Sequence, residues 1–353
     1  MPLHNQESVL VSIIVMTYNH GLYIEECLES LANQKCSFPF EILVGEDCSI
    51  DDTRQRVLNV SNKYPDIIRP ILSESNLGAC RNFENLLNLA TGKYIALCEG
   101  DDYWQCPDKL QRQVDILEAD DEVVLVCTDA DVYFQNSGRR ILSIHKRNGQ
   151  WNFRPSDMTL ALLTRKINIF TCSVCLHRNL LLRIFRENLY EFSEEHQMSD
   201  IQLWLEVSRI GRIVHIRESC ATYRVITESA SRSANYWKII KFQEAALKIS
   251  EHYVRKFGYD DVILHKVRMT QVWGMIGLVM KHRCDDLRQR TLELLQSRSM
   301  KASNILESIA FWSLGSPSRL YLCAPLAPLF LKLLIVPIKI RGLASIVLSA
   351  IRR

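Results

Sequence analysis

Three clusters of acidic, polar and aromatic residues stand directly after short apolar segments in the first third of the chain. The clusters are Thr17–Gly21, Glu46–Asp52 and Glu99–Trp104. The last cluster offers three carboxylates, those of Glu99, Asp101 and Asp102. Carboxylate oxygens are typical ligands of Mg²⁺, which commonly bridges one or two of them to the phosphates of a substrate. The clusters therefore predict a divalent cation and a phosphorylated ligand.

A short acidic loop also has a simpler interpretation, a solvated turn that caps the following helix. Two features of the Glu99–Trp104 cluster favour a functional site instead. The cluster follows an apolar segment typical of a buried strand, and it contains aromatic residues. Gly100 adds a position without a Cβ atom, where the backbone can turn sharply and approach a ligand closely.

The apolar segments in this part of the chain have the composition of strands buried on both faces. We predict strands at Val11–Met16, Phe40–Gly45, Ile67–Leu72 and Tyr94–Cys98. Amphipathic helical patterns separate them, and this alternation predicts an α/β fold, a mostly parallel sheet flanked by helices. Ligands bind beyond the carboxyl ends of the strands in such sheets, which is where the three clusters stand. No G-x-G-x-x-G follows the first strand, which argues against a dinucleotide-binding fold.

The pattern changes twice further along the chain. Mixed strand and helix patterns continue to about residue 233, and only helical periodicity follows, so we predict a catalytic domain at 1–233 and a helical region at 234–312. The last part, 313–353, carries the apolar segment 320–340 and a basic end. Three prolines and a lysine interrupt that segment, whereas a spanning helix needs about 20 mostly apolar residues. We predict that 313–353 associates with a membrane surface; the alternative is a helical hairpin packed on the protein.

Charge and cysteine content restrict the partners and the compartment. The net charge is +3, and no basic stripe interleaved with aromatic residues stands in the catalytic portion, so we expect no nucleic-acid partner. Many of the twelve cysteines lie inside apolar segments, where a free cysteine behaves as a small buried hydrophobe. Residues 1–8 have no signal-peptide pattern. We expect a cytoplasmic protein, peripheral on the inner face of the cytoplasmic membrane.

An ordered series of motifs over residues 9–130 resembles the family 2 glycosyltransferases of the GT-A fold, of the kind found in bacterial surface polysaccharide biosynthesis. The matching residues are Val11–Asn19; Glu41–Thr53; Asn76 with Gly78; Arg81-Asn82; Ala90 with Gly92, Tyr94 and Ile95; Glu99–Trp104; and Lys109-Leu110 with Gln113. Several spaced motifs in order are more specific than any single motif. The resemblance weakens towards residue 230 and is absent beyond it.

The resemblance implies a nucleotide-sugar donor, UDP-sugar foremost, and a divalent metal, Mg²⁺ or Mn²⁺. It implies that the donor is bound by Thr17, Tyr18, Asn19, Glu46, Asp47, Arg81, Glu99, Gly100, Asp101 and Arg224. Asp47 or Glu46 would accept a hydrogen bond from the base, because an anionic acceptor strengthens that bond. Asp101 would hold the metal. Glu99 has three alternative roles. It would ligate the same ion, interact with the groups that ligate that ion, or contact the sugar hydroxyls.

The chain departs from the family pattern at three positions. Glu46 and Glu99 stand where the family more often has aspartate, and Ile226 stands at the histidine of a Tyr-Arg-x-His motif that begins here at Tyr223. His215 and His196 are nearby histidines that could substitute for the missing one, although a lone histidine is more often structural.

Transfer to an acceptor hydroxyl also requires a base, which removes the hydroxyl proton as the oxygen attacks the anomeric carbon in a single inverting displacement. The resemblance places this base at the start of a helix, about a hundred residues after the metal motif, where Asp200 precedes the apolar helical pattern of 201–205. The alternative is that Asp200 only caps that helix. Asp129 and Asp131 are weaker candidates for the same role.

Three functions remain open at this point. The first is an inverting glycosyltransferase that acts on a saccharide or a lipid-linked saccharide. The second is a nucleotidyltransferase, although the Thr17–Gly21 loop lacks the glycine-rich basic pattern that binds triphosphates. The third is a catalytically inactive relative that binds a nucleotide sugar or serves as a membrane scaffold, a possibility raised by the two glutamates and the missing histidine.

Overall fold

The computed structural model describes residues 8–149, 151, 154–187, 199–226, 236–282, 284–302, 307, 311 and 313–316. Their contacts divide the chain into two compact units. The first comprises the described parts of Met1–Thr159 and Ile167–Thr227, and the second those of Leu160–Lys166 and Glu228–Arg353. The predicted tail, 313–353, lies outside the described residues except for 313–316.

The strands all belong to the first unit. They are β1 (Val11–Thr17), β2 (Phe40–Glu46), β3 (Ile68–Leu72), β4 (Tyr94–Glu99), β5 (Tyr103–Trp104), β6 (Val123–Phe134), β7 (Arg139–Ile141), β8 (Val174–His177) and β9 (Arg212–Val225). The helices up to residue 210 are α1 (Ile24–Ala32), α2 (Thr53–Lys63), α3 (Ala79–Leu89), α4 (Lys109–Ala119), α5 (Ile144–Arg147), α6 (Met158–Leu163), α7 (Arg178–Glu187) and α8 (Ser199–Ile210).

The strands form one sheet in the order β3-β2-β1-β4-β8-β6-β9-β5, with β7 paired to β6. The strands β3, β2, β1 and β4 are parallel. The second half is mixed, because β8 runs antiparallel to both β4 and β6, whereas β6 and β9 are parallel. The predicted α/β architecture is confirmed, and its parallel half places the ends of β1, β2 and β4 at one edge.

The core of the first unit lies on both sides of this sheet. Val11, Ile13, Ile14 and Val15 of β1 are all at most 1% exposed, so consecutive residues are buried on opposite faces. Helix α1 buries Ile24, Cys27, Leu28 and Leu31 at helical spacing. A sheet covered on both faces requires strands that are apolar at consecutive positions, and not only at alternate ones.

A buried polar network follows the acidic loop. The Lys109 ammonium lies 3.7 Å from the centre of the Trp104 ring and donates to Gln113 at 2.8 Å. The amide of Gln113 donates to the carbonyl oxygens of Val126 and Ser173. Burial lowers the pKa of Lys109 to about 8. These side chains therefore join α4 to β6 and to the turn before β8, beneath the strand ends.

The second unit is helical. Its long elements are α9 (Tyr236–Lys256), α10 (Asp261–His282) and α11 (Asp285–Ser297). Its core includes Leu247, Ile276, Val279 and Leu287, each fully buried. Among the described helices none is both long and apolar enough to cross a membrane.

Several elements differ from the sequence expectation. Within the mixed part of the chain the sequence pattern predicts a strand over Arg212–Ile216, whereas β9 continues to Val225. It does not predict α5, α6, α7 or β5. The strand β9 is longer because polar residues such as Arg217 and Glu218 are accommodated at an irregularity opposite Asp129. The eleven cysteines within the described ranges are free thiols. The domain limits at 233 and 313 stay predictions.

Candidate active site

The loops after β1 and β2 are joined by Asn19. Its backbone N–H donates to the Ser49 hydroxyl at 2.9 Å, and its side-chain oxygen accepts from the N–H of Ile50 at 2.9 Å. Asn19 has φ 56°, a left-handed conformation that asparagine tolerates better than most residues. The predicted donor-binding residue Asn19 therefore holds two site loops together.

Glu46 lies at the end of β2 and is fully buried. One carboxylate oxygen accepts from the N–H of Ser49 at 2.6 Å, and the other accepts from Arg54 Nε at 2.5 Å. Arg54 also donates to the carbonyl oxygen of Ser73. Both oxygens of Glu46 are thus bound within the protein, where they shape the loop after β2.

Asp47 is also buried, at 3% exposure. Its two carboxylate oxygens accept from the N–H groups of Leu77 and Gly78, at 2.7 and 3.0 Å. Its own N–H donates to the carbonyl oxygen of Thr17 at 3.1 Å. Asp47 therefore connects the end of β1 to the turn before α3. The loops after β1 and β2 and this turn thus form one assembly.

Gly100 brings the acidic loop against the loop after β1. Its N–H donates to the carbonyl oxygen of Met16 at 2.9 Å. A Cβ atom at this position would lie 2.6 Å from Thr17 Oγ1 and 2.9 Å from His20 Nδ1. The glycine is thus required by contact with the neighbouring loop of the protein itself.

His20 is a residue that the sequence patterns did not single out, although it lies within the Thr17–Gly21 cluster. Its Nε2 is 4.0 Å from Asp101 Oδ1, and both side chains are less than a fifth exposed. The only signal in the sequence was its position in a loop at a strand end.

Arg224 lies on β9 and forms hydrogen bonds to the acidic loop Glu99–Trp104. Its backbone N–H donates to Asp102 Oδ1 at 2.7 Å, and its Nε donates to the carbonyl oxygen of Asp101 at 2.7 Å. The remaining guanidinium nitrogens donate to Gln135 and Glu26. Arg224 is 6% exposed, and this geometry makes it a support of the loop.

Glu99 lies at the end of β4, beside the other loop carboxylates. Burial, followed by the charges of Asp101 and Asp200, raises its pKa to about 8. Its Oε2 is buried and has no hydrogen-bond partner among the described residues, as is also true of Asp102 Oδ2. Burial, followed by the charges of Asp101 and Glu99, raises the pKa of Asp102. A cation would relieve this accumulation of acidic groups.

Asp200 stands in the first turn of α8 and faces the same cavity as Glu99. This cavity has a volume of about 70 Å³, and its walls include Met16, Phe83 and Trp204. The indole of Trp204 donates to the carbonyl oxygen of Ile169 at 3.1 Å, which fixes α8 here. A space of this size has room for only a few water molecules, so a nucleotide has to lie outside it, along the open strand ends.

The remaining predicted residues lie around this centre. Thr17 is buried, Tyr18 is 42% exposed, and Arg81 is exposed on the first turn of α3, next to Cys80 in the cavity wall. His215 lies beside Asp129 and His145 in a separate cluster. His196 lies outside the described residues.

The carboxylates that the structure brings together are suited to a hard cation. Asp101 and Glu99 offer oxygen ligands, and Glu99 Oε2 is a buried acceptor without a described donor. Mg²⁺ and Mn²⁺ take such ligands in preference to nitrogen or sulfur. The residues present therefore fit the divalent metal that the sequence predicted.

The chain is similar in sequence to bacterial proteins. An uncharacterized protein of Mycobacterium tuberculosis is 37% identical over 129 residues, which are 36% of this chain and only 37% of that protein. The Escherichia coli protein WfgD, a UDP-Glc:α-D-GlcNAc-diphosphoundecaprenol β-1,3-glucosyltransferase, is 28% identical over 239 residues, 67% of this chain and 85% of that one.

Solved structures of glycosyltransferases have the same fold. Staphylococcus aureus TarS 1–349, in complex with UDP, superposes with a TM-score of 0.54 at 17% identity, covering 91% of this chain and 92% of that one. The mannosyltransferase PcManGT of Pyrobaculum calidifontis, in complex with GDP-Man and Mn²⁺, gives 0.52 at 18% identity, covering 93% and 86%. The predicted GT-A-type fold is confirmed. Residues 12–185, 174 of the 353, match glycosyl transferase family 2, and this domain belongs to that family.

Proposed function

We propose that this chain is an inverting glycosyltransferase that moves a sugar from a nucleoside diphosphate sugar to a saccharide or lipid-linked saccharide. The observation that carries the proposal is the placement of Glu99 and Asp200 on one small cavity. Glu99 comes from the end of a parallel strand and Asp200 from the first turn of a helix about a hundred residues later. Family membership supplies the reaction class.

Asp101 is the residue proposed to hold Mg²⁺ or Mn²⁺, with Glu99 beside it. A bound divalent cation would supply positive charge to the departing diphosphate. The repulsion among Glu99, Asp101 and Asp102 supports this assignment, because a cation lowers the cost of keeping several carboxylates close together. The imidazole of His20, near Asp101, is placed to donate a hydrogen bond to a phosphate oxygen.

Asp200 is the proposed base. Its carboxylate takes the proton of the acceptor hydroxyl while the hydroxyl oxygen forms a bond to the anomeric carbon of the donor. The bond from that carbon to the diphosphate oxygen breaks on the opposite side, and its electron pair leaves with the nucleoside diphosphate. One displacement of this kind inverts the anomeric configuration.

The donor nucleotide is proposed to be UDP. WfgD is named for UDP-Glc and the TarS structure contains UDP, whereas the PcManGT structure contains GDP-Man. Thr17, Tyr18 and Asp47 lie on the loops that line the open strand ends, and Asp47 is the proposed acceptor for the base. Its hydrogen bonds to Leu77 and Gly78 hold it in place.

The acceptor is proposed to be presented at a membrane. WfgD is named for a diphosphoundecaprenol acceptor, and 313–353 of this chain is apolar and basic. We propose that this tail keeps the protein peripheral on the inner face of the cytoplasmic membrane. A chain ending at residue 312 should then leave the membrane fraction, and its continued sedimentation with membranes would reject the role of the tail.

The reaction is tested with UDP-, dTDP- and GDP-sugars, Mn²⁺ and a saccharide acceptor, using wild type, Asp101→Ala and Asp200→Asn. We expect Asp200→Asn to lower kcat by about 10²–10⁴-fold, the usual contribution of a general base. Asp66→Asn, at an exposed position, is the matched control. Normal transfer by Asp200→Asn would remove the base assignment.

Thermal shifts separate an enzyme from an inactive binding relative. A ligand that binds the folded state stabilises it, so a UDP-sugar with Mn²⁺ should raise the Tm of wild type and of Asp200→Asn, but not that of Asp101→Ala. A raised Tm without transfer to any acceptor would favour the inactive relative. No shift with any nucleotide sugar would contradict the proposed function altogether.

A further inference from the structure

Three side chains outside the acidic loop converge on one buried point of the first unit. Asp129 lies on β6, His145 on α5 and His215 on β9, and one ligand atom from each lies within 4.8 Å of the other two. His215 pairs with Cys127 across the parallel strands β6 and β9. Alternate residues of a strand share a face, so Asp129 and His215 lie on the same side of the sheet. Helix α5 brings His145 over them.

Asp129 is anchored as a carboxylate. It is fully buried and accepts from the backbone N–H groups of Ala130, His145 and Lys146 at 2.8 to 3.0 Å. Hydrogen bonds from backbone N–H groups favour the charged form of a carboxyl group. The group is therefore ionised and fixed in place.

The two nitrogens of His145 face different partners. Nε2 lies 2.7 Å from the carbonyl oxygen of Asn168, which only accepts, so Nε2 carries a proton. Nδ1 lies 3.2 Å from Asp129 Oδ1. A neutral imidazole protonated at Nε2 would point the lone pair of Nδ1 at a carboxylate. A cation, either a proton or a metal ion, has to lie between these two atoms.

His215 distinguishes the proton from the metal ion. Its Nε2 is buried and has no hydrogen-bond partner among the described residues, and its ring centre lies 5.2 Å from that of His145. In its neutral form the ring has one unprotonated nitrogen, which offers a lone pair. A proton would satisfy only the pair of His145 and Asp129. A metal ion satisfies all three groups.

We propose that Asp129, His145 and His215 form a three-ligand site for Zn²⁺. Two imidazoles and one carboxylate are a typical set for zinc sites that leave the fourth position to water, and in a tetrahedral site with bonds near 2.1 Å the ligand atoms lie about 3.4 Å apart. The 3.2 Å between His145 Nδ1 and Asp129 Oδ1 matches this spacing. The N–H of His145 Nε2 donates to a backbone carbonyl, as zinc-bound histidines usually do with their second nitrogen.

The site would fasten α5 to the sheet at the point where β6 and β9 lose their regular pairing. The register between these strands shifts on both sides of Asp129, and Trp151 stacks on His215 with ring centres 4.4 Å apart and an interplanar angle of 8°. Zinc here would be separate from the oxygen-ligated cation proposed at Asp101, because the two sets share no residue.

Metal analysis of the full chain, purified without a histidine tag or added metal, tests the proposal. Wild type equilibrated with equimolar Zn²⁺ and desalted should retain about one zinc ion per chain, and His215→Gln should lose at least about tenfold in zinc affinity. His177→Gln, a half-buried histidine on β8 outside the cluster, and Asp101→Ala should both retain the ion. Equal zinc in His215→Gln and wild type, or none in wild type, would overturn the site.

A thermal measurement on wild type alone covers the case in which His215→Gln does not fold. Zn²⁺ added back to chelator-treated protein should raise its Tm, because the ion binds only the assembled site. Mg²⁺ at the same concentration should not reproduce the shift. An unchanged Tm with Zn²⁺ would leave His145 as a protonated partner of Asp129 and reject the metal.

Discussion

The backbone N–H of Arg224 donates to Asp102 Oδ1 at 2.7 Å, although the two residues are 122 positions apart in the chain. The guanidinium of Arg224 also donates a hydrogen bond to the carbonyl oxygen of Asp101. The end of β9 therefore determines where the acidic loop after β4 stands. In this structure the arginine positions the loop that we propose to bind the metal, while the charge of its side chain is directed into the protein and towards Glu26.

Substitution of Arg224 by lysine should destabilise the protein and weaken donor binding together. A lysine ammonium cannot reproduce the planar set of donors that reaches Asp101, Gln135 and Glu26. Loss of such bonds costs about 1.5–3 kcal/mol each when one partner is charged. Urea unfolding should show a loss in that range, with an increased KM for the nucleotide sugar. Arg217→Lys, at an exposed position on the same strand, should change neither quantity.

Substitution of Gly100 by alanine should reduce activity more than stability. The new Cβ would lie 2.6 Å from Thr17 Oγ1 and 2.9 Å from His20 Nδ1, so the two loops have to separate. A displacement of about 1 Å at reacting groups can cost roughly 100-fold in rate, and we expect kcat/KM to fall by that order. Gly138→Ala is the control for activity: its Cβ would meet nothing within 4 Å, and its φ of 65° strains only its own turn, so it should lower stability without lowering kcat/KM. A Gly100→Ala enzyme as active as this control would contradict the close contact.

Substitution of Asp47 by asparagine should lower both stability and nucleotide affinity. An amide NH₂ would face one of the two N–H groups that Asp47 now accepts, those of Leu77 and Gly78. A buried donor left unsatisfied in this way costs about 1–3 kcal/mol. Chemical denaturation and titration with UDP measure the two effects. If UDP binds unchanged while stability falls, Asp47 holds the turn but does not contact the base.

Stability should rise with pH in a window set by Lys109. Burial lowers its pKa from 10.5 to about 8 in the folded protein, so between these values the unfolded chain binds more protons. The free energy of unfolding therefore increases from about pH 8 towards pH 10.5. Relative to Lys109→Met, wild type should gain on the order of 2–3 kcal/mol over this range, at 1.36 kcal/mol per pKa unit.

Urea unfolding of both proteins from pH 7.5 to 10 measures this difference, since groups that titrate in both proteins largely cancel. Lys93→Met, which removes an exposed lysine, serves as the comparison and should follow wild type. A flat difference between wild type and Lys109→Met would mean that Lys109 stays charged up to pH 10 in the folded protein.

The sequence by itself determined the parallel half of the fold and the composition of the site. Continuous apolar segments predicted β1 to β4, because a strand covered on both faces has no polar positions. Glu99 and Asp101 were predicted as site residues from their position at the end of β4, because the carboxyl ends of parallel strands meet at one edge of the sheet. Asp200 was identified by resemblance and by its position at a helix start.

Only the tertiary structure decided which distant residues support or share a site. Arg224 reaches Asp102, and His145 meets Asp129 and His215, because β8 enters the sheet antiparallel and β6 and β9 pair over eleven registered positions with two irregular steps near Asp129. Strand order and register depend on the packing of whole faces, which local patterns do not encode. Likewise, the sequence pattern did not predict the second half of β9, because the polar residues Arg217 and Glu218 interrupt it. The irregularity that accommodates these residues forms only when the partner strand β6 is in place.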